Sequence, residues 1–308
     1  MQKKIQIAKE SIRPSLLSPV RLKIAGNITE VRYMARKPDI RIRKRDKDTY
    51  VDLSTGEIRN FSHGESRAAN IAGVAKSLGK LRDILNTNIT DTHNCLWVTL
   101  TYAENMQDTQ RLYHDFRKFN MRFHTFIKKN KLPPYEYIVA MEPQGRGAWH
   151  CHVVLIFSRK APFVSNSDLR KVWKHGFVKI KALKNISNVG VYLTAYMASM
   201  ELGDALKNMT LDKLDARKIK QIAIKDSDGK DETKAYIKGA RLCLYPVGFR
   251  IFRKSRGILP PSIKECTYAD ALHEIGDAQK TYEKAINVLD AHGNVTNTIL
   301  YLHYNKNL

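Results

Sequence analysis

The stretch YEYIVAMEPQGRGAWHCHVVLIF, Tyr135 to Phe157, constrains the fold of this chain more than any other. Two runs rich in β-branched and aromatic residues flank a Pro-Gln-Gly-Arg-Gly segment, the pattern of an antiparallel hairpin. Side chains alternate across a strand, so His150 and His152 share one face while Cys151 takes the other. The position of Glu142 depends on the turn. An odd loop, such as Gly145 to Gly147, sets Glu142 opposite His150 and on the face of both imidazoles. An even loop moves it to the face of Trp149. With the odd loop, Glu142, His150 and His152 form a three-ligand site with open positions, and its mixed N and O donors suit Mn²⁺, Mg²⁺ or zinc.

The flanking sequence places this hairpin in a larger sheet. LWVTLTY, Leu96 to Tyr102, reads as a strand. Thr109 to Lys129 has the spacing of an amphipathic helix, with Leu112, Phe116, Phe119, Phe123 and Phe126 on one side. Ser165 or Ser167 caps a short helix through Trp173, and FVKIKAL is a further strand. Asn188 to Met200 is helical in pattern, Met209 to Lys225 reads as a helical insertion, and ARLCLYPVGFRIFRKSRG is β-like. The resulting order, β-α-β-β-α-β-α-β, predicts an α+β fold: a central antiparallel β-sheet with helices packed mainly on one face.

Outside this region, TYVDLSTGEIRNF suggests a hairpin turned at Ser54-Thr55-Gly56, and Glu65 to Leu85 a helix. AHGN separates two segments, Tyr282 to Leu289 and Val295 to Tyr304, that fit a C-terminal hairpin. The expected division is 1–87, a basic N-terminal region; 88–260, the sheet domain; and 261–308, a C-terminal extension.

Charge narrows the partners. The chain carries 53 Lys and Arg against 30 Asp and Glu, a formal net charge of +23. Such a surplus favours a polyanion, and nucleic acid is the expected partner. No apolar run approaches a membrane span. The opening MQKKIQIAKES is charged without an apolar core, so no secretory signal and no membrane partner are expected, and the chain is placed in the cytoplasm. The four cysteines form no CxxC pair and are expected as reduced thiols. GVAKSLGKL, Gly73 to Leu81, has one residue too many for a phosphate loop and no Ser or Thr after its Lys, so no helicase is expected.

In NVGVYLTAYMASM, Tyr192 and Tyr196 are four residues apart and share a helical face. A phenol is a poor nucleophile at its ordinary pKa of about 10. Beside a phosphodiester neutralised by a cation it can attack in line.

Taken in order, LWVTLTY, WHCHVVLIF and VYLTAYMAS resemble the motifs of the HUH endonuclease superfamily. More narrowly, they resemble those of rolling-circle replication initiator (Rep) proteins of bacterial plasmids and phages. YPVGFRIFRKSRGI is similar to the segment closing that domain, and the resemblance spans residues 90 to 260. It implies a metal site of His150, His152 and Glu142, Mn²⁺ or Mg²⁺ ahead of zinc as cofactor, and Tyr192 and Tyr196 as catalytic tyrosines. Tyr192 matches the tyrosine of the family's Y-x-x-K pattern, but its lysine position holds Ala195. Arg146 in the hairpin turn is a candidate substitute.

The implied activity is nicking and rejoining of single-stranded or hairpin origin DNA through a 5′-phosphotyrosine, with a host helicase and polymerase as partners. Arg250, Arg253, Lys254 and Arg256 are expected at the DNA backbone. The alternatives are a transposase or mobilisation relaxase on the same core, or a non-enzymatic single-stranded-DNA-binding or autoregulatory protein with a decayed site.

Overall fold

Burial along Cys95–Thr101 alternates between fully buried Val98 and Leu100 and half-buried Trp97, Thr99 and Thr101, as in a strand with two different faces. That strand belongs to a computed structural model that describes residues 4–8, 12–37, 40–62, 70–183, 186, 188–194, 200–201, 219–225, 231–237 and 240–308. By contact the chain divides into two units, Met1–His63 with Pro260–Leu308, and Gly64–Leu259. The helix over residues 71–88 therefore groups with the second unit.

The first unit contains β1 (Lys4–Ile7), β2 (Pro19–Ala25), β3 (Ile28–Met34), β4 (Ile42–Lys44), β5 (Thr49–Asp52) and β6 (Ile58–Asn60). The second contributes β7 (Cys95–Thr101), β8 (Tyr135–Pro143), β9 (Trp149–Phe157), β10 (Val178–Ala182), β11 (Met200–Glu201), β12 (Ile219–Lys225), β13 (Asp231–Ile237) and β14 (Phe252–Lys254). The first unit resumes with β15 (Ser262–Thr267), β16 (Gln279–Leu289) and β17 (Val295–Asn305). Its main sheet has six strands in the order β1-β16-β17-β3-β2-β15, and β4-β5-β6 form a separate small sheet. The C-terminal segment is the β16–β17 hairpin, and β5 turns into β6 at Gly56, whose φ is +75°.

In the second unit the helices are α1 (Ile71–Asn88), α2 (Thr109–Lys129), α3 (Asn166–Trp173) and α4 (Val189–Thr194). A fifth, α5 (Tyr268–Ile275), packs on β2 and β15 of the first unit. The central sheet of the second unit is antiparallel, in the order β10-β7-β9-β8-β14. The α+β class with a central antiparallel sheet agrees with expectation. The helices divide between its faces. α2 and α3 cover the face of Cys151, Val153 and Leu155, where Phe116 meets Tyr137 and Phe123 meets Tyr135. Leu81 and Leu85 of α1 and Leu193 of α4 meet Trp97, Ile138, Ala140, His152 and Val154 on the other face.

α2 begins where Asp108 accepts hydrogen bonds from the backbone N–H groups of Gln110 and Arg111. Its buried stripe is Leu112, Phe116, Phe119, Phe123 and Ile127. The period of 3.6 makes Ile127, rather than Phe126, the fully buried fifth member. Ser165 is the cap of α3.

Three local expectations are corrected. Residues 219–225, expected as helix, form strand β12 paired with β13, because IKQIAIK alternates well enough to propagate a ladder against DETKAYI. Met200, expected at the end of a helix, pairs with Ile237 as part of β11. ARLCL, expected as strand, is a 3₁₀ turn over Ala240–Leu244.

Phe119 lies at the centre of the α2 stripe and touches Phe116, Phe123 and Trp173. Phe119→Ala is expected to cost about 3–5 kcal/mol in urea unfolding followed by circular dichroism. A loss below about 1 kcal/mol contradicts this packing.

Candidate metal centre

The β8–β9 turn sets the geometry of the site. Gln144 N–H bonds to Ala148 O at 2.7 Å, and Gly147 N–H bonds back to Gln144 O at 2.8 Å. Residues 145–147 are thus a three-residue loop whose last member, Gly147, has φ +90°, a conformation that glycine adopts without strain. The loop is odd, and Glu142 stands directly opposite His150.

Glu142, His150 and His152 consequently converge. Glu142 Oε2 lies 3.3 Å from His150 Nε2 and 3.6 Å from His152 Nε2, and the two Nε2 atoms are 2.8 Å apart. Two ligands bound at about 2.1 Å and at right angles to one ion are separated by about 3 Å. The donor set therefore fits a small divalent cation. Glu142 and His150 are buried, whereas His152 is about one-quarter exposed, so the cluster opens towards solvent on the His152 side.

The electrostatics favour a cation too. Burial alone would raise the Glu142 pKa, but hydrogen bonds from His150 and His152 and the charge of Arg241 outweigh it and keep the carboxylate ionised. Burial, reinforced by His152 and Arg241, lowers the His150 pKa despite the pull of Glu142. His150 is therefore neutral near pH 7, with a lone pair for an ion. Its Nδ1 is buried and has no hydrogen-bond partner among the described residues. His152 Nδ1 is held by Thr99 Oγ1 at 3.3 Å, which orients its ring.

Sequence reasoning missed three neighbours. Arg241, in the 3₁₀ turn, puts Nη1 3.0 Å from Glu142 Oε2. Thr99 sits opposite His152 in the β7–β9 ladder, and aligning LWVTLTY against WHCHVVLIF would have found it. The Trp97 ring lies 5.9 Å from the rings of both His152 and Tyr192. Tyr192 itself is 42% exposed, so its phenol is not sealed in the core.

The helix carrying Tyr192 is fixed to α1 by one side chain. Asn86 accepts from Gly190 N–H at 2.7 Å and donates to Asn188 Oδ1 at 3.1 Å. Gly190 permits the close approach, since a Cβ there would stand 2.5 Å from Arg82 O. Tyr196 and Ala195 lie outside the described residues.

The expected DNA-contacting cations scatter. Arg146 is exposed in the turn, with Nε donating to Gln144 Oε1. Arg250 and Arg256 are exposed. Lys254 donates to Ile258 O at 2.6 Å. Arg253 pairs in register with Val139 and stacks 3.7 Å over the Tyr113 ring, which places it on the α2 face, away from Glu142.

Fold and site define an antiparallel-sheet protein with a carboxylate and two imidazoles arranged as a potential metal centre. Residues 95–201 match the family model of replication-associated proteins of the ORF2 type, a span that includes all three cluster residues and Tyr192. The match supports a replication-initiator family. No curated protein and no solved structure matches the chain. Among the described residues no helix is long and apolar enough to cross a membrane.

Thr99→Val removes the hydroxyl that orients His152. Calorimetric titration with Mn²⁺ is expected to show affinity reduced about tenfold. Unchanged affinity removes Thr99 from the site.

Proposed function

We propose that the chain is a replication initiator of the HUH type, a metal-dependent single-strand DNA endonuclease and strand transferase that works through a covalent 5′-phosphotyrosine. The observation that carries this reading is the convergence of Glu142, His150 and His152 on one sheet face, with exposed Tyr192 one indole ring away. The replication-associated family match over the same residues favours an initiator over a transposase or relaxase.

In this reading Glu142, His150 and His152 hold Mn²⁺ or Mg²⁺, which supplies charge neutralisation at the scissile phosphate. The Tyr192 oxygen attacks phosphorus as its proton passes to solvent, and the bond from phosphorus to the 3′-oxygen breaks. That oxygen takes a proton and leaves as a 3′-hydroxyl able to prime synthesis, while the 5′-phosphate stays joined to the phenol. Attack by a 3′-hydroxyl on the ester reverses these changes and rejoins the strand. Tyr196 is the second candidate nucleophile. Arg241 supplies positive charge at the cluster and takes the place expected of the lysine that Ala195 lacks. Origin DNA, a host helicase and a host polymerase are the partners of this reading.

A non-enzymatic DNA-binding protein is the second reading, and the Arg241–Glu142 ion pair favours it. A guanidinium already neutralises the carboxylate there, as in a site that has lost its cation.

The adduct decides between them. Incubated with labelled single-stranded origin DNA and Mn²⁺, the protein is expected to form a denaturant-resistant DNA–protein adduct. The adduct should disappear in His150→Ala and in the Tyr192→Phe/Tyr196→Phe double variant. Persistence in the double variant refutes the tyrosine assignment, and failure of the wild type to form an adduct supports the second reading. Gly190→Ala, which pushes α4 off α1, is expected to slow adduct formation about a hundredfold while Mn²⁺ affinity is retained. An unchanged rate contradicts the positioning role of the α1–α4 contact.

A further inference from the structure

Charge is unevenly spread along the chain. The unit Gly64–Leu259 holds 34 Lys and Arg against 17 Asp and Glu, most of the surplus. Within it, α2 is the longest helix among the described residues, and the single acid it carries, Asp115, is buried. Tyr102 Oη donates to the Asp115 carboxylate at 3.1 Å, Arg111 Nε lies 3.5 Å from it, and His175 Nε2 3.6 Å.

At about 100° per residue, His114, Arg117, Lys118, His124, Lys128 and Lys129 fall in one arc opposite the buried phenylalanines. All six are exposed. The cationic stripe continues sideways into an open cleft of about 820 Å³ between α2 and edge strand β14, lined by Arg111, Arg117, His114 and Arg253 among others. The one carboxylate lining the cleft, that of Asp108, caps the start of α2. This surface lies on the α2 face of the sheet, whereas the Glu142 cluster lies on the other.

We propose that the outer face of α2 and the Arg253 cleft bind the phosphate backbone of duplex DNA, apart from the strand that reaches the metal centre. The surface fits a duplex better than a single strand. Single-strand sites combine cations with aromatic faces on which bases stack. The aromatic ring nearest these cations, Tyr113, is covered by the Arg253 guanidinium and stacks on Phe249 with an interplanar angle of 18°. Phosphate contacts without base stacking position a duplex and carry no sequence information. Twenty-one residues at about 1.5 Å each make α2 about 31 Å long, close to one turn of B-form DNA. The inference rests on the nucleic-acid reading of the chain but not on chemistry at the cluster.

The test compares two charge reversals of equal size in the full chain: Arg117→Glu/Lys118→Glu on α2, and Arg159→Glu/Lys160→Glu in the exposed segment after β9. Binding to a 20-base-pair duplex is measured by fluorescence anisotropy over a salt series. The α2 variant should lose at least tenfold in affinity, and its log–log salt slope should fall by about 1.8, for two phosphate contacts. The Arg159/Lys160 variant should lose less than threefold. Equal losses in both variants, or none in the α2 variant, overturn the proposal. An equal or larger loss for a single strand of the same length overturns the duplex assignment. Circular dichroism verifies folding, and Arg117→Ala/Lys128→Ala gives the same comparison should the reversal unfold the chain. A wild type that forms no adduct yet shows the α2 effect refutes the nuclease reading alone. The converse result refutes this proposal alone.

Discussion

Everything at the candidate site follows from the register of one hairpin. The period of a strand is two, so adding or removing a single residue in the β8–β9 turn would send Glu142 to the face of Cys151. The three-residue loop ending at Gly147 prevents that. It pairs Glu142 with His150, while the β7–β9 ladder brings Thr99 against His152. The opposite side chains, Met141, Cys151 and Val153, are fully buried on the α2 face. A slip would exchange apolar residues for a carboxylate in the core, so burial and turn geometry hold the same register.

Once assembled, the cluster concentrates unlike demands. An ionised carboxylate buried beside neutral His150 is costly unless positive charge compensates it. Arg241 provides such charge from one side. The two Nε2 atoms, close enough that they cannot both keep a proton between them, leave lone pairs for a cation from the other. α1 and α4 then fix Tyr192 near this centre through Asn86 and Gly190, with Trp97 between the phenol and His152. The sheet sets the ligands and the helices set the phenol. Polar groups that one strand pair could not hold alone are thereby kept in place.

The sequence is informative where periodicity and turn chemistry act locally. The α2 stripe, β7, β9, the Ser165 cap and the C-terminal hairpin are all visible in residue spacing. So are the ligand triad and, through the odd-loop condition, its register. Long-range pairing is less legible. Residues 219–225 mix Lys and Ile in a way that fits helix or strand, and only pairing with residues 231–237 decides. Arg241 reaches Glu142 across about a hundred residues of chain, which no local pattern encodes. Arg253 is an accessible cation, as its basic surroundings in the sequence suggest, but its face depends on strand parity at the sheet edge. Here that parity turns it towards Tyr113.

The central claim is that Glu142, His150 and His152 together hold a divalent ion. Anomalous diffraction at the manganese edge, from crystals of the full chain grown with Mn²⁺, tests it most directly. One peak shared by both Nε2 atoms and the Glu142 carboxylate is the predicted result. Absence of density there, with Arg241 still paired to Glu142 at saturating Mn²⁺, would contradict it.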